Sequence, residues 1–394
     1  MTEILVLGAG MVGVSTALAL QARGHTVTLV DRRGPGEETS YGNAGMIQAE
    51  AVEPYVLPTD PKMLWQIATG TTNDVALSYR TIANWVGPAL RYAWYSVSPD
   101  YQTRIVPRWA AMIQSATADH DALIGPAGAD DIIRRKGYRK LYRSARQLEA
   151  AAKAAARLKT RFGVTSAVLD TAELAAAEPA IRMKLAGAVH FLDAWSCTDP
   201  GELVRRYAKL FETRGGSIVT ADANTFTRSG NGWAVTTAAG PLSAELAIVC
   251  LGPWSPALLR RFGHRIPMVL KRGYHRHFTG GGPDLPAMDV ENGTFLSPMR
   301  QGLRVLTGAE LTAMDAMPNP RQIARSSRAA EELFGPLTPV EATPWVGTRP
   351  CMPDMLPVMG KSKSEPGLWL NFGHAHHGFT LGPTAGRLLA EQIG

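Results

Sequence analysis

The chain has 394 residues, 45% of them hydrophobic and 19% charged, with a net charge of +7 and a pI near 9.4. That is ordinary globular composition, long enough for two or three domains around a large core, and it excludes disordered and collagen-like chains. The three cysteines (Cys197, Cys250, Cys351) give no disulfide framework and point to a reducing compartment, and no apolar run is long enough to span a bilayer.

The first thirty-one residues are the most informative. Ile4–Leu7 is a short apolar strand, Gly8-Ala9-Gly10-Met11-Val12-Gly13 follows at once, and Val14, Ala17, Leu18 and Leu20 recur at helical spacing before Gly24. Thr26–Val30 reads as a second strand that Asp31 ends. Strand, glycine turn, helix, strand and acid in this order form a dinucleotide-binding unit. Gly8 allows the turn, Gly10 the approach of a pyrophosphate, and Gly13 the packing of helix on strand. Asp31 accepts from a ribose 2′-OH and repels a 2′-phosphate, so the expected ligand has an unphosphorylated ADP half, as FAD and NAD do. The glycines also interrupt the apolar stretch, and no basic region precedes it, so residues 1–30 do not read as a signal peptide.

Glu38-Thr39-Ser40-Tyr41-Gly42-Asn43-Ala44-Gly45 is a loop of small residues. It suits the lining of a phosphate and ring site, and equally a plain surface loop. Residues 62–124 read as mostly helical and carry Trp65, Tyr79, Trp85, Tyr92, Trp94, Tyr95, Tyr101 and Trp109. Packing over a sheet is the favoured reading, and a partly exposed face meeting membrane or partner is the alternative. Residues 144–162 form an Ala-, Lys- and Arg-rich helix that Gly163 stops. Asp199-Pro200 starts another, with Leu203, Val204, Tyr207, Ala208 and Phe211 as its buried stripe. Strands follow at Ile218-Val219 and Ala247–Leu251, the latter leading into Gly252-Pro253-Trp254. Residues 264–310 alternate as an antiparallel sheet does.

Gly347-Thr348-Arg349-Pro350-Cys351-Met352-Pro353-Asp354 places one arginine in an uncharged turn. Arg349 is either a clamp for a substrate carboxylate or half of an internal salt bridge with Asp354. A strand at Leu368–Asn371 then leads to Gly373-His374-Ala375-His376-His377-Gly378-Phe379-Thr380 and a last helix, with Gly382 as its N-cap and Pro383 first inside it. A helix N-terminus in a cleft stabilises the negative charge of a reduced flavin, which favours FAD over NAD. The histidines have no acidic or cysteine partner at ligand spacing, so no metal is expected.

The fold class is therefore α/β: a discontinuous Rossmann-type FAD-binding domain (1–50, 140–256 and 345–394) with an inserted α+β substrate domain of helices and antiparallel sheet (51–139 and 257–344). The basic residues are scattered, with clusters at Arg32-Arg33, Arg134-Arg135-Lys136 and Arg260-Arg261, and no basic stripe is interleaved with aromatics. Nucleic acid is thus not an expected partner. A solvated basic surface and a loose contact with an anionic membrane remain as readings.

Gly8–Asp31, Glu38–Gly45, Val346–Gly360 and Phe372–Ile393 together resemble FAD-dependent amine oxidoreductases of the D-amino-acid oxidase superfamily, nearest to the bacterial D-amino acid and D-hydroxyproline dehydrogenases. Thr39–Gly45 is similar to the "TS-x-x-NAG" signature, Arg349-Pro350 with Pro353-Asp354 to the "RP-x-x-PD" turn, and Gly373-His374 with His377-Gly378 to the C-terminal flavin loop. The resemblance implies that Gly8, Gly10, Gly13, Asp31 and Arg32 hold the ADP half, with Gly252 beside them. It places Thr39, Ser40, Asn43, Ala44, Gly45 and Met46 along the pyrophosphate and ring, and Gly378, Phe379 and Thr380 at the flavin O2 edge.

Arg349 falls where glycine oxidases bind the carboxylate, and Tyr274 near the substrate-facing strand. His376 stands where those enzymes have a second arginine. Gly347 takes the place of the cysteine that tethers flavin in sarcosine oxidases, so FAD is expected to be non-covalent. The implied reaction is oxidation of a D-amino acid, with the D-proline or D-hydroxyproline type as the narrower expectation, by hydride transfer from Cα to flavin N5. Electrons then pass to a quinone or other non-oxygen acceptor. The expected location is cytoplasmic, with peripheral contact at the inner face of the membrane as its extension. An oxygen-using amine oxidase, an NAD-dependent dehydrogenase and a flavin-binding subunit of a hetero-oligomer stay open beside it.

Overall fold

In the computed structural model, which describes residues 1–58 and 60–394, the N-terminal βαβ unit seeds a six-stranded sheet. Strand β1 (Glu3–Leu7) pairs in parallel with β2 (Thr26–Asp31) on one side and with Leu246–Val249 on the other. Ser217–Thr220 extends the sheet beyond β2. Leu368–Phe372 and the antiparallel Val358–Lys361 complete the far side.

The period-two alternation of β1 decides what covers each face. Ile4 and Val6 pack against helix α1 (Met11–Ala22) and helices Pro200–Thr213 and Gly378–Ile393. Leu5 and Leu7 face the opposite way, into a cluster with Trp233 of a small three-stranded antiparallel sheet and Phe226 just before it. All four side chains are at most 1% exposed. Burial of each contributes about 1.5–3 kcal/mol, and covering both faces is what a parallel sheet requires.

The second sheet has eleven strands, with Val269–Thr279 as its spine. Trp345–Cys351 pairs antiparallel along one edge of this spine, and Ala309–Leu311 and Gly302–Leu306 along the other. Three strands that lie in, or run into, the stretch 140–256, which the sequence division gives to the nucleotide unit, pair here instead. They are Tyr138–Tyr142, Ser166–Leu169 and Gly187–Phe191. Trp345–Cys351 also joins this sheet rather than the nucleotide sheet. The reason is packing: Leu141 and Ala188 bury with Tyr274 and Leu296, the core of the antiparallel sheet.

Helix caps match the sequence where their chemistry is local. Asp199 Oδ1 accepts from the Glu202 N–H at 3.0 Å, and Ser144 caps helix Ala145–Phe162 from the Gln147 N–H, with Gly163 closing it at φ 75°. The last helix differs. It begins at Gly378, so Gly382 and Pro383 lie inside it rather than at its start. Pro383 has no N–H to offer the Phe379 carbonyl one turn back. His120 takes that carbonyl instead: its Nε2 is 3.0 Å from Phe379 O while its Nδ1 meets the Tyr207 hydroxyl at 3.0 Å. No helix among the described residues is long and apolar enough to cross a membrane.

Candidate active site

A cavity of about 890 Å³ runs between the two sheets, at the upper end of the range for small-molecule sites. Its first end is the glycine turn. Gly8 has φ +106°, and a Cβ on Gly13 would lie 1.7 Å from the Gly8 carbonyl oxygen, so helix and strand close up only because both lack side chains. Asp31 Oδ2 accepts from the Ala9 N–H at 2.6 Å and Oδ1 from the Arg33 N–H at 2.9 Å. Burial raises its pKa, and the two N–H donors oppose that rise. Arg32 lies over the Trp254 ring at 4.9 Å and pairs with Glu38 at 2.7 Å. Gly10 and Gly252 also border this end, while Gly13 supports it from behind.

The loop 38–45 forms one side of the middle, where Thr39, Ser40, Asn43, Ala44 and Met46 line the cavity. Ser40 Oγ accepts from the Met11 N–H at 3.0 Å, so the loop caps the same helix end that would meet a pyrophosphate. Its carbonyls at Tyr41 and Asn43 accept from Arg304, whose Nε also meets His277, and Glu341 backs His277. A buried chain of polar contacts thus ties the loop to the antiparallel sheet. Gly45 does not line the cavity; its N–H bonds Asn43 Oδ1 at 2.9 Å and shapes the loop.

The opposite side is the segment 373–379. Ala375 has φ +53°, a left-handed conformation rare outside glycine, and strain of this kind gathers at functional sites. It turns His374 and His377 into the protein and leaves His376 open on the cavity side. Burial lowers the pKa of His374 and His377 to about 3; for His376, on the cavity side, desolvation by the surrounding walls leads, and the charges of His377, Arg349 and Lys271 lower it further. All three rings are neutral at pH 7. No group of three or more potential metal ligands exists among the described residues.

Gly378 and Phe379 present the first turn of the last helix to the cavity. Thr380 stands behind them: its hydroxyl donates to Met46 O at 3.0 Å and lies 3.3 Å from the Gln48 N–H. Thr380 therefore pins the 46–48 segment, and its side chain is not free for a flavin edge.

At the far end Arg349 points into the cavity from Trp345–Cys351. Its guanidinium donates to Gly308 O at 2.8 Å and Thr307 O at 3.2 Å. No carboxylate pairs with it among the described residues, and Asp354 sits near Arg104 instead, at 3.8 Å. The internal salt bridge entertained from the sequence is therefore not formed. A Cβ on Gly273 would lie 2.6 Å from Arg349 Nη2, so the guanidinium rests directly on the bare backbone of the neighbouring strand.

Tyr274 borders the cavity, as the sequence reading expects. Its hydroxyl donates to Glu310 Oε2 at 2.5 Å and accepts from the Asn319 N–H at 2.9 Å, so the phenol is not free to meet a substrate. The side chain that shares the cavity face with Arg349 is Lys271, its register partner. The Lys271 ammonium lies over the Tyr92 ring at 3.9 Å and has no carboxylate partner among the described residues. Its signal in the sequence was the alternation Lys271, Gly273, His275 against Arg272, Tyr274. Fixing which set faces inward required the pairing with Arg349.

The residues fit FAD by their own chemistry. A cradle that side chains would fill, free amide N–H groups at a helix end, and an acid at the close of β2 all meet one elongated cavity. Comparison with known proteins agrees. The family described as FAD dependent oxidoreductase, DAO, matches residues 3–392. The chain belongs to this family. It is similar to a D-amino acid dehydrogenase of Chromohalobacter salexigens, 30% identical over 99% of this chain and 95% of the relative. It is also similar to a D-amino-acid oxidase of Bradyrhizobium diazoefficiens, 29% identical over 99% and 94%. In fold it is similar to a glycine oxidase from Geobacillus kaustophilus, with a TM-score of 0.75, 18% identity and coverage of 100% and 95%. An L-proline dehydrogenase from P. horikoshii gives 0.73, 16%, 100% and 93%. The protein is thus an FAD-dependent oxidoreductase with a Rossmann-type cofactor unit and a substrate sheet.

Proposed function

We propose that the protein oxidises a D-amino acid and passes the electrons to a quinone or another acceptor that is not oxygen. The observation that carries this reading is the pair Arg349 and Lys271. Two cations stand side by side on the wall of the cofactor cavity without an acid between them. Bound FAD supplies the two-electron acceptor. Residues of the glycine turn, the 38–45 loop and the 378–379 helix start would hold it.

The protein's own part is position and field. Arg349, fixed by two carbonyls, presents its remaining N–H groups to a carboxylate and sets the orientation of Cα. Lys271 adds the second positive charge that the neutral His376 does not supply. The tethering of Arg349 leaves little reorganisation at the moment of reaction. Both D-amino acid relatives support the stereochemical preference, and D-proline or D-hydroxyproline is the narrower expectation.

The Bradyrhizobium relative, named as an oxidase, keeps oxygen in view as the acceptor. Turnover with a D-amino acid series decides between them: quinone or dye reduction without oxygen uptake is expected. Oxygen consumption at the rate of substrate loss would assign the oxidase reaction, and turnover of L-enantiomers alone would contradict the proposal.

A further inference from the structure

Helices Pro61–Thr69 and Ile82–Val97 cover the substrate end of the cavity, and their outer faces are apolar. Leu64, Trp65, Tyr79, Leu90, Trp94 and Val97 are between 47% and 70% exposed. Large side chains of this kind are normally scattered singly, and a group of six is an interaction surface.

On the longer helix the exposed residues Ala83, Gly87, Leu90, Trp94 and Val97 repeat at intervals of four and three, which aligns them in one stripe. Trp85 and Tyr92 occupy the opposite side and are buried. Arg80, Asn84 and Arg91 form the adjoining ridge at the same spacing. The Tyr79 hydroxyl bonds Ala68 O at 2.6 Å, joining the end of the short helix to the start of the stripe.

Charge selects the occupant. Lys62, Arg80 and Arg91 are exposed, and none makes an ion pair among the described residues. The one acid between Pro61 and Pro99 is Asp74, half-buried on the cavity wall. Asp60 caps helix Pro61–Thr69 and Asp100 pairs with Arg104 at the margins of this face, so a second copy docked on it about a two-fold axis would bring six unpaired cations together. An anionic lipid surface meets both features: interfacial tryptophan and tyrosine with lysine and arginine beside them. We infer that this face docks the protein on an anionic membrane. Helix Pro61–Thr69 then presents Leu64 and Trp65 to lipid while Met63 and Ile67 line the cavity, so the substrate end of the site opens beside the bilayer.

Flotation of the FAD-loaded full chain with phosphatidylglycerol vesicles and with phosphatidylcholine vesicles tests this. Binding to the anionic vesicles at least tenfold tighter than to the neutral ones is expected, weakening as salt rises. A Trp65→Ser/Trp94→Ser pair and an Arg80→Glu/Arg91→Glu pair should each lower it tenfold or more, with flavin content and melting temperature retained. Absence of binding to anionic vesicles, or binding unchanged in both variants, would overturn the inference. So would a lipid-free dimer, seen by light scattering, that the tryptophan pair dissociates, since that assigns the face to a second copy.

Discussion

Lys271 and Arg349 stand directly opposite each other across an antiparallel strand pair, both on the cavity wall, and neither has a carboxylate partner among the described residues. Burial disfavours the charge on each and lowers the pKa of Arg349, whereas contact with Cys351 and Tyr92 outweighs burial and the Arg349 charge at Lys271 and holds its pKa above the ordinary value. The nearby Tyr92 phenol and Cys351 thiol give no anion, because burial raises the pKa of both. The missing negative charge is expected from the substrate.

Arg349→Ala should lower kcat/KM by about 2–4 kcal/mol of charged hydrogen bonding, roughly 30- to 1000-fold, with FAD content unchanged. Lys271→Met should cost less, about 1–2 kcal/mol, with Lys271→Arg recovering part of it. Steady-state kinetics on the two series check this. Equal kinetics in Arg349→Ala and wild type would remove Arg349 from the site.

Gly273→Ala tests the same anchor without touching a charge. Its Cβ would press on the guanidinium at 2.6–2.9 Å, and moving Arg349 off its carbonyls is the cheapest relief. A rise in KM of tenfold or more with an unchanged melting temperature is expected. A normal KM would mean that the guanidinium does not need this seat.

Much of this was legible early. The βαβ unit, the cap at Asp199 and the stop at Gly163 declare themselves in the sequence because each rests on contacts within a few residues. The start of the last helix was not, because Pro383 is an ordinary first-turn signal. It is tolerated mid-helix only where a distant residue, His120, satisfies the freed carbonyl. The pairing of Tyr138–Tyr142 and Gly187–Phe191 with the substrate sheet is likewise non-local. Lys271 is not legible in the sequence because the face that its strand turns to the cavity depends on Arg349, a partner some eighty residues away.

His120 is fully buried, and burial lowers its pKa to about 4 from an ordinary 6.5. The unfolded chain therefore binds the proton more readily, and stability is present above pH 6.5 and lost as pH falls toward 4. For this residue alone the loss is of order 3 kcal/mol. His374 and His377, both near 3, act in the same direction. Melting temperature should fall steeply between pH 6.5 and 4, and a flat profile over that window would contradict the neutral, buried assignment.

Thr380→Val removes two buried hydrogen bonds, to Met46 O and from the Gln48 N–H, while keeping shape. The expected cost is about 1–3 kcal/mol in urea denaturation, with weaker retention of FAD because the 46–48 segment is released. A variant as stable as wild type would show that other contacts hold the segment.

The most direct test is anaerobic mixing of the FAD-loaded protein with matched D- and L-amino acids while the visible flavin band is followed. Bleaching by the D-series, and its loss or strong slowing in Arg349→Ala, is the expected result. A band that persists with every D-amino acid, or that bleaches with L-enantiomers alone, would contradict the proposed reaction.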